Sequence, residues 1–451
     1  MFSLLGLSSG LMDSNAHGCA DAALSLFERL LSFEWLEERR HEMEWRGGGG
    51  LFTAALTIWV SVRRQVVGGC SLEKAWAFCS EEEVRRLSPR SVRAQRGKLS
   101  THPSGLDRAR HVLPLSLAEQ AADHIFWEAW ASFRLEDPPV FLLDGSSVTC
   151  ESSPELSQAY PPAPTQNGPS HWPVLRMVVA HDLATGLAVR PEYGPFFGPD
   201  AVGEQVLAKR LLERIPKECM VIADRNFGIF QMAWALRDRR MLVRLKEQVA
   251  CSLLGKGYVP GQDHDAPHVW IPSANDRKTH GFEADACVRG RVVMRTVDAP
   301  HEKEPVKVYL FTNDMESPAD ELVKTYTGRW NIETDIRSLK QSVGLESPKS
   351  RSVDMISKEI VLAVAAYNII RVMMVQSAKR VGLEPRRISF SRARDYIEAF
   401  VYRGAITEQS FDRMLREIGA RPIPLRPDRH YPRTMWTKSN RYPPKKVTDA
   451  Q

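Results

Sequence analysis

One stretch of the chain carries polar side chains at a spacing suited to chemistry. Between residues 317 and 344, a helix turning by about 100° per residue would place several of them within about 80° of arc. They are Tyr326, Arg329, Glu333, Arg337 and Lys340. A carboxylate flanked by fixed cations suits metal and phosphate binding, but it also suits i,i+4 ion pairs on a solvated surface. The spacing alone leaves both interpretations open.

The same stretch predicts the helix that would present these residues. Ser317 and Pro318 predict its start, and Gly344 predicts its end. Apolar side chains fall on a neighbouring stripe about 60° wide, which a helix would bury. They are Ile332, Ile336, Leu339 and Val343. We therefore expect one helix over 317–344, with its polar stripe beside a buried face and Trp330 as a core anchor.

Two aspartates follow apolar, β-type runs earlier in the chain. Asp144 follows VFLL and Asp224 follows MVIA, so both are expected at strand ends, whereas Asp182 is interpreted as a turn residue. An acid at the end of a buried strand is costly unless it is paired or bound to a cation. Magnesium prefers oxygen ligands, and two such ions can hold the attacking and leaving oxygens of a displacement at phosphorus. Asp144, Asp224 and Glu333 are therefore candidate metal ligands.

Composition limits the class of protein. The 451 residues are enough for two or more domains, and the net charge of +6 is only mildly basic. Seven cysteines show no Cys-x-x-Cys pair, which is typical of reduced, intracellular usage and argues against a disulfide framework or a zinc site. The start shows no signal peptide, and the apolar runs are too short to cross a membrane. We expect a soluble, cytoplasmic protein.

Basic side chains cluster in the N-terminal part. Helices are predicted at 20–45 and 51–67, Ser80 and Glu83 predict a capping box, and a further helix is expected to start at Ser88 and Pro89. Four arginines recur there at three- and four-residue spacing. They are Arg86, Arg90, Arg93 and Arg96, of which the last three are the candidate DNA contacts. Short helices followed by a basic one suit helix-turn-helix-like DNA docking, although a charged surface helix has the same pattern.

The remaining chain predicts an α/β domain. Strands alternate with helices from residue 140, the pattern loosens into a β-rich insertion at about 247–305, and a strand then leads into 317–344. A nearly all-apolar helix beginning near residue 359 is the expected central packing element. We divide the chain into a helical N-terminal DNA-binding region (1–110), a catalytic domain (111–385) and a C-terminal helical region with a basic tail (386–451).

Several of these residues together resemble a known family. Tyr326-x2-Arg329-x3-Glu333-x6-Lys340 is similar to the Tyr/Arg/Glu/Lys signature of bacterial insertion-sequence DDE transposases, the insertion-sequence-four family. Other matches are DGSS at 144–147, IADRNFG at 222–228, SPKSRS at 347–352 and AYNIIR at 366–371. The resemblance covers roughly residues 85–385. One departure is Asn226, which stands where related proteins often have glycine.

The resemblance implies a ribonuclease H-like core with the first Asp on the first strand, the second on the fourth, and the Glu on a helix after a β-rich insertion. Asp144, Asp224 and Glu333 would then hold Mg²⁺, with Mn²⁺ as a substitute. Tyr326, Arg329 and Lys340 would contact the phosphates of the transposon end. Trp270 is a candidate for stacking on a flipped base during hairpin formation.

The implied function is cut-and-paste transposition on double-stranded DNA. Metal-activated water would cut at the terminal inverted repeat, the freed 3′-hydroxyl would form a hairpin, and the resolved end would attack target DNA. A homodimer in a synaptic complex is the expected assembly, acting on the bacterial nucleoid and not at a membrane. Two alternatives remain at this point: a ribonuclease H-like nuclease of another role, and a catalytically silent DNA-binding protein derived from a transposase.

Overall fold

A computed structural model describes most of the chain. The described residues are 22–45, 47, 50–99, 102–135, 138–166, 168–297, 305–402 and 408–424. The opening residues, Cys19 and most of the basic tail lie outside these ranges. The six cysteines within them are all free thiols.

The N-terminal part is helical. Its helices are α1 (Ala22–Leu30), α2 (Phe33–Glu42), α3 (Ala54–Val66), α4 (Leu72–Ala77), α5 (Glu81–Leu87), α6 (Val92–Gln95), α7 (Ser104–Val112) and α8 (Leu115–Phe133). The prediction of one helix over 20–45 is wrong, because the Ser32 hydroxyl accepts a hydrogen bond from Trp35 N and starts a second helix. The capping box of Ser80 and Glu83 is confirmed. Ser88 follows the end of α5, and Ser91 caps α6 instead.

A mixed sheet follows, with helices between its strands. The strands are β1 (Val140–Thr149), β2 (Pro162–Thr165), β3 (Gly168–Asp182), β4 (Glu192–Pro195), β5 (Met220–Ala223), β6 (Arg240–Arg244), β7 (His264–Trp270), β8 (Val288–Val297) and β9 (Val306–Thr312). The helices among them are α9 (Pro154–Ala159), α10 (Glu204–Leu212), α11 (Phe230–Leu236), α12 (Glu247–Leu254) and α13 (Ala274–His280). The predicted α/β class is confirmed at this level.

The strand order places β1 and β5 side by side near the centre of the sheet. It runs β2-β3-β1-β5-β6-β9-β8-β7, with β4 paired to β3. β1, β5 and β6 are mutually parallel, and the other pairings are antiparallel. The expected insertion at 247–305 contributes β7 and β8 to the far end of this sheet, together with α12 and α13. The insertion therefore extends the sheet, and it contains two helices that the prediction of a β-rich insertion did not include.

The stretch predicted as one helix is divided. It forms α14 (Ala319–Thr327), α15 (Trp330–Arg337) and a π-helical turn (Ser338–Ser342). At the junction, Arg329 N bonds to Tyr326 O and Ile332 N bonds to Arg329 O, which are tight i to i−3 bonds. A Cβ on Gly328 would lie 3.1 Å from Leu183 Cδ1, so glycine permits this close approach. The predicted continuity is wrong, because the periodicity of the side chains does not report these turns.

The ends of this stretch differ in part from the prediction. Pro318 occupies the position before α14, whereas the Ser317 hydroxyl donates to Asp314 Oδ2 and does not cap the helix. Gly344 has a φ of +85° and does end the helical stretch. The predicted apolar stripe is largely buried: Ile332, Leu339 and Val343 are fully buried, whereas Ile336 is partly exposed.

One long helix joins the parts of the chain. This helix, α16 (Val353–Val381), packs against α3, α8 and α18 (Glu408–Gly419), and α17 (Phe390–Tyr402) also contacts it. By length and composition α16 resembles a membrane span, but 94% of its most apolar window is buried inside the protein. It is therefore a core helix, which confirms its predicted role as the central packing element.

A buried charge network holds α15 against α16. The carboxylate of Asp335 has no solvent exposure and accepts hydrogen bonds from Arg371 on α16 and from Arg386, whose Nη1 lies 2.7 Å from each oxygen. Burial alone would raise the pKa of Asp335, but Arg386 and Arg371 outweigh it and lower that pKa below its ordinary value. His181 on β3 lies beside them, and burial lowers its pKa to about 4. The network links α15, α16 and the sheet.

This network predicts a large stability effect. Asp335→Asn should lower the free energy of unfolding by about 3–5 kcal/mol, since removal of one partner leaves two buried guanidinium groups without their anion. Urea denaturation followed by circular dichroism measures the change. Asp320→Asn is the matched control: this aspartate also pairs with an arginine, Arg295, but its side chain is 87% exposed. The control should cost less than about 1 kcal/mol, and equal costs for the two variants would contradict the assignment.

Candidate active site

Asp144 lies in the middle of β1, next to the point at which β5 ends. Leu143 pairs with Ala223 in parallel register, so Asp144 and Asp224 occupy neighbouring positions immediately afterwards. The prediction that Asp144 ends its strand is wrong, because β1 continues to Thr149 through antiparallel pairing with β3. Asp224 does follow the last residue of its strand, as predicted.

The environment of Asp144 disfavours its negative charge. Burial, reinforced by the charge of Asp224, raises the pKa of Asp144 to about 6. Gly145 N donates to Asp144 Oδ1 at 2.8 Å, and Asn226 N donates to Asp224 Oδ1 at 2.8 Å. A close pair of partly buried carboxylates is stabilised when a cation lies between them.

Arg329 connects Glu333 to this pair. Its Nη2 lies 3.2 Å from Glu333 Oε1, and its Nη1 lies 3.7 Å from Asp144 Oδ2. The guanidinium is buried and stacks over the Trp330 ring, 4.8 Å from the ring centroid. Arg329 therefore lies between the first and third members of the predicted triad.

Tyr326 lies close to Arg329, on the buried side of the candidate site. The residue is 5% exposed, and among the described residues its hydroxyl has no hydrogen-bond partner of ordinary geometry. Burial raises the pKa of Tyr326, and Arg329, Arg244 and Asp224 are its charged neighbours. Its hydroxyl is thus available to a group that enters the site.

Lys340 and Arg337 extend the cationic face in different ways. Arg337 is exposed, whereas Lys340 is half-buried and its Nζ donates to Ser147 O on β1 at 2.9 Å. Lys340 also lines an open cleft of about 450 Å³, whose wall includes Arg64 and Lys349. The structure therefore places both predicted contacts on the helical segment that carries Glu333.

The three arginines of the N-terminal region are exposed, as a DNA-binding role requires. Arg90 Nη1 lies 3.5 Å from Glu37 Oε2, and Arg93 and Arg96 flank the four-residue helix α6. They belong to a different part of the fold from the carboxylates. Their role in DNA binding stays a prediction.

The structure also bears on three other sequence predictions, those for Trp270, Trp330 and Asp182. Trp270 is 5% exposed and packs edge-on against Phe230 and Phe311, so its ring lies in the core and not at an open surface. Trp330, expected in the core, is 44% exposed because the break at 328–329 turns it outward. Asp182 is confirmed as a turn residue, since Thr185 N and Oγ1 both donate to it.

The donor set fits a divalent cation in part. No three carboxylate, imidazole or thiol side chains in the described part of the chain lie close enough together to form a complete metal site. Asp144 and Asp224 nevertheless supply paired hard oxygen donors, and burial, followed by the charge of Asp224, raises the pKa of Asp144. Glu333 is oriented towards them through Arg329.

Sequence reasoning missed Glu204. This acid occupies the first position of α10, and its side chain reaches the backbone beside Asp144. Burial raises its pKa above the ordinary value. The available signal was weak: an acid just after Gly203, in the helix between the strands that carry the two aspartates.

Comparison with known proteins decides the family. A family model described as the transposase DDE domain matches residues 135–369, about half of the chain. The chain belongs to the DDE transposase family. The transposase is also 24% identical over 326 residues to "Transposase InsG for insertion sequence element IS4" of Escherichia coli (strain K12), an alignment that covers 67% of this chain and 69% of that protein.

Family membership establishes the general activity. The protein is a DDE transposase, and thus an enzyme that transfers phosphoryl groups on DNA. DDE transposases generally use divalent metal ions. The match spans β1, α10, β5 and α15, and therefore every acidic residue of the site described above.

Truncation of Trp270 should destabilise the transposase much more than truncation of Trp330. Trp270→Ala should lower the free energy of unfolding by about 3–5 kcal/mol, because a large buried ring is lost from the core. Trp330→Ala should cost less than about 1 kcal/mol, because much of that ring already faces solvent. Chemical denaturation of both variants measures the difference. Unchanged stability of Trp270→Ala would refute its placement in the core.

Proposed function

We propose that the transposase moves its element by cutting at the terminal inverted repeats and joining the freed ends to target DNA. The observation that carries the proposal is the convergence of Asp144, Asp224 and Glu333 through strand pairing and Arg329. Cut-and-paste transposition needs both strand cleavage and strand transfer at one site. A site with paired acids and adjacent cations suits both reactions.

A ribonuclease H-like core is the fold we assign to residues 111–385. Without the short β2, the strands in chain order are β1, β3, β4, β5 and β6, and β5 is the fourth of them. Asp144 on the first strand, Asp224 after the fourth, and Glu333 on a helix beyond the insertion then follow the expected positions. We retain 1–110 as the DNA-binding region and 386–451 as the C-terminal region.

Asp144, Asp224 and Glu333 would hold the divalent cations, which we assign as Mg²⁺ with Mn²⁺ as a substitute. When bound, such ions stabilise the charge of the attacking and leaving oxygens. The raised pKa of Asp144 supports this assignment, because a cation removes the cost of keeping that carboxylate ionised beside Asp224.

The protein's own cations would position the DNA. Arg329 neutralises Asp144 and Glu333 in the free protein, and we propose that it turns to a phosphate of the transposon end when DNA enters. Tyr326 would donate its otherwise unused hydroxyl to the same backbone. Arg337 and Lys340 would continue the contact along the strand.

The chemistry consists of successive displacements at phosphorus. In the first, a water oxygen bonds to phosphorus, the P–O3′ bond breaks, and the departing 3′-oxygen takes a proton. In the next, that 3′-hydroxyl oxygen bonds to a phosphorus of the opposite strand and loses its proton, while the P–O3′ bond to the flanking DNA breaks and the flanking 3′-oxygen takes a proton; the product is a hairpin. A second water then opens the hairpin by the same displacement as in the first step and restores the 3′-hydroxyl. That hydroxyl bonds to a phosphorus of target DNA, where a P–O3′ bond breaks and the departing 3′-oxygen takes the proton.

Two copies would act together on the paired ends. We expect a homodimer in a synaptic complex on double-stranded DNA, with each copy supplying one active site. Arg90, Arg93 and Arg96 would bind the repeat away from the cut. The expected location is the bacterial cytoplasm, at the nucleoid.

Cleavage of repeat-bearing DNA tests the triad. Glu333→Gln should reduce Mg²⁺-dependent cleavage by at least 100-fold, because one oxygen donor loses its charge, while unfolding stability is retained. Glu321→Gln, an exposed acid in the first turn of α14, is the matched control and should cleave at the wild-type rate. Equal cleavage by Glu333→Gln would overturn the triad, and cleavage indifferent to the repeat sequence would indicate a plain nuclease.

Salt dependence of DNA-end binding tests the cationic face. Arg337→Ala should weaken binding and reduce the slope of log K against log salt by about one, because one phosphate contact is lost. Lys217→Ala serves as control, since this exposed lysine lies shortly before β5, at the end of the strand opposite Asp224. Identical slopes for the wild type and Arg337→Ala would exclude Arg337 from the interface. Gel-shift titrations over a range of salt concentrations supply the measurement.

A further inference from the structure

A fourth acid, Glu204, approaches the predicted triad from α10. Its carboxylate occupies the space that a side chain at position 145 would fill: a Cβ on Gly145 would lie 1.3 Å from Glu204 Oε1. Gly145 directly follows Asp144 on β1. The glycine of the DGSS sequence therefore leaves room for a second acidic group beside the first aspartate.

Asn226 connects this acid to the second aspartate. Its Nδ2 donates to Glu204 Oε2, and its backbone N donates to Asp224 Oδ1 at 2.8 Å. Gln205 Nε2 in turn donates to the Asn226 carbonyl at 3.3 Å. The residue that departs from the family pattern thus orients two carboxylates at once, and Glu204 is held at a fixed place relative to both aspartates.

A second feature indicates that a ligand enters this group of acids. Tyr326 is 5% exposed and interacts with Asp224 electrostatically. The Arg244 guanidinium lies near its hydroxyl but can only donate, so the hydroxyl proton has no acceptor among the described residues. A buried hydroxyl without a partner is costly unless a bound group satisfies it. Acids from β1, β5 and α10 and this hydroxyl from α14 therefore face one region.

We infer that Glu204 is a fourth acidic residue of the metal site and binds the hydration shell of the cation. Mg²⁺ is small and dehydrates reluctantly, so a carboxylate beyond direct reach can still accept hydrogen bonds from the water that the ion retains. This role rests on the proposed function, since it requires Asp144 and Asp224 as the direct ligands. A purely structural role would be that of any acid at a helix N-terminus.

Metal binding by the full-length protein without DNA separates these roles. Mn²⁺ titration monitored by electron paramagnetic resonance should give a Kd about 10–100-fold higher for Glu204→Gln than for the wild type, because the outer carboxylate is lost. The amide keeps an acceptor for Asn226, so unfolding stability should change little. The control Glu73→Gln, an exposed first-turn acid of α4, should bind Mn²⁺ as the wild type does.

Gly145→Ala provides a second route to the same result. The added methyl group needs the space of the Glu204 carboxylate, so it should displace that acid and weaken Mn²⁺ binding to a similar extent. If both changes act through Glu204, the double variant should bind no more weakly than either single variant. Additive losses, or Gly145→Ala with wild-type affinity, would overturn the inference.

Asp144→Asn distinguishes failure of this inference from failure of the proposed function. Loss of Mn²⁺ binding by Asp144→Asn with wild-type affinity for Glu204→Gln overturns the role of Glu204 and leaves the triad standing. Wild-type affinity in both variants overturns both. In DNA cleavage, Glu204→Gln should shift the Mg²⁺ midpoint about 10-fold upward and recover the wild-type rate at saturating metal.

Discussion

The buried contact of Asp335 with Arg371 and Arg386 is the interaction on which the candidate site depends. A carboxylate without solvent exposure would be prohibitively costly alone, but two guanidinium groups compensate it. Asp335 stands two residues after Glu333, so the contact fixes the rotation of α15 about its own axis. Because Arg371 belongs to α16 and Arg386 bonds the carbonyls of Asp182 and Leu183, α15 is held to the core helix and the sheet together.

The two faces of α15 consequently differ in their electrostatics. Behind the helix, the fully buried Asp335 carboxylate pairs with the buried Arg371 and the partly buried Arg386. On the opposite side, the buried guanidinium of Arg329 pairs with Asp144 and Glu333, and Asp224 and Glu204 interact with Asp144. The Asp335 network holds α15 in place, and the opposite side of the helix faces the acidic residues of the candidate site. This arrangement stabilises a bound cation and, through Arg329, a bound phosphate.

Sequence patterns predicted the features that depend on local order. The apolar run gave α16, the spacing of Ser80 and Glu83 gave a capping box, and the β-type run before Asp224 gave β5. Side-chain periodicity could not reveal the break at Gly328, since tight turns keep nearly the same angular pattern. Asp144 was expected at a strand end because the apolar run stops there. In the structure, antiparallel pairing with β3 extends β1 beyond Asp144 to Thr149.

Other residues escaped prediction because only tertiary contacts give them a role. Asp335 belongs to a helix rich in charge and resembled a surface acid, and Glu204 resembled any first-turn acid. The packing of α3 on α16 has a further consequence, for the order of folding during synthesis. Every residue of α3 is buried, yet its partner begins nearly 300 residues later. At about 5–20 residues per second, the nascent chain spends roughly 15–60 s before that surface is covered. The α3 surface that packs on α16 therefore reaches its native burial only after most of the message has been translated.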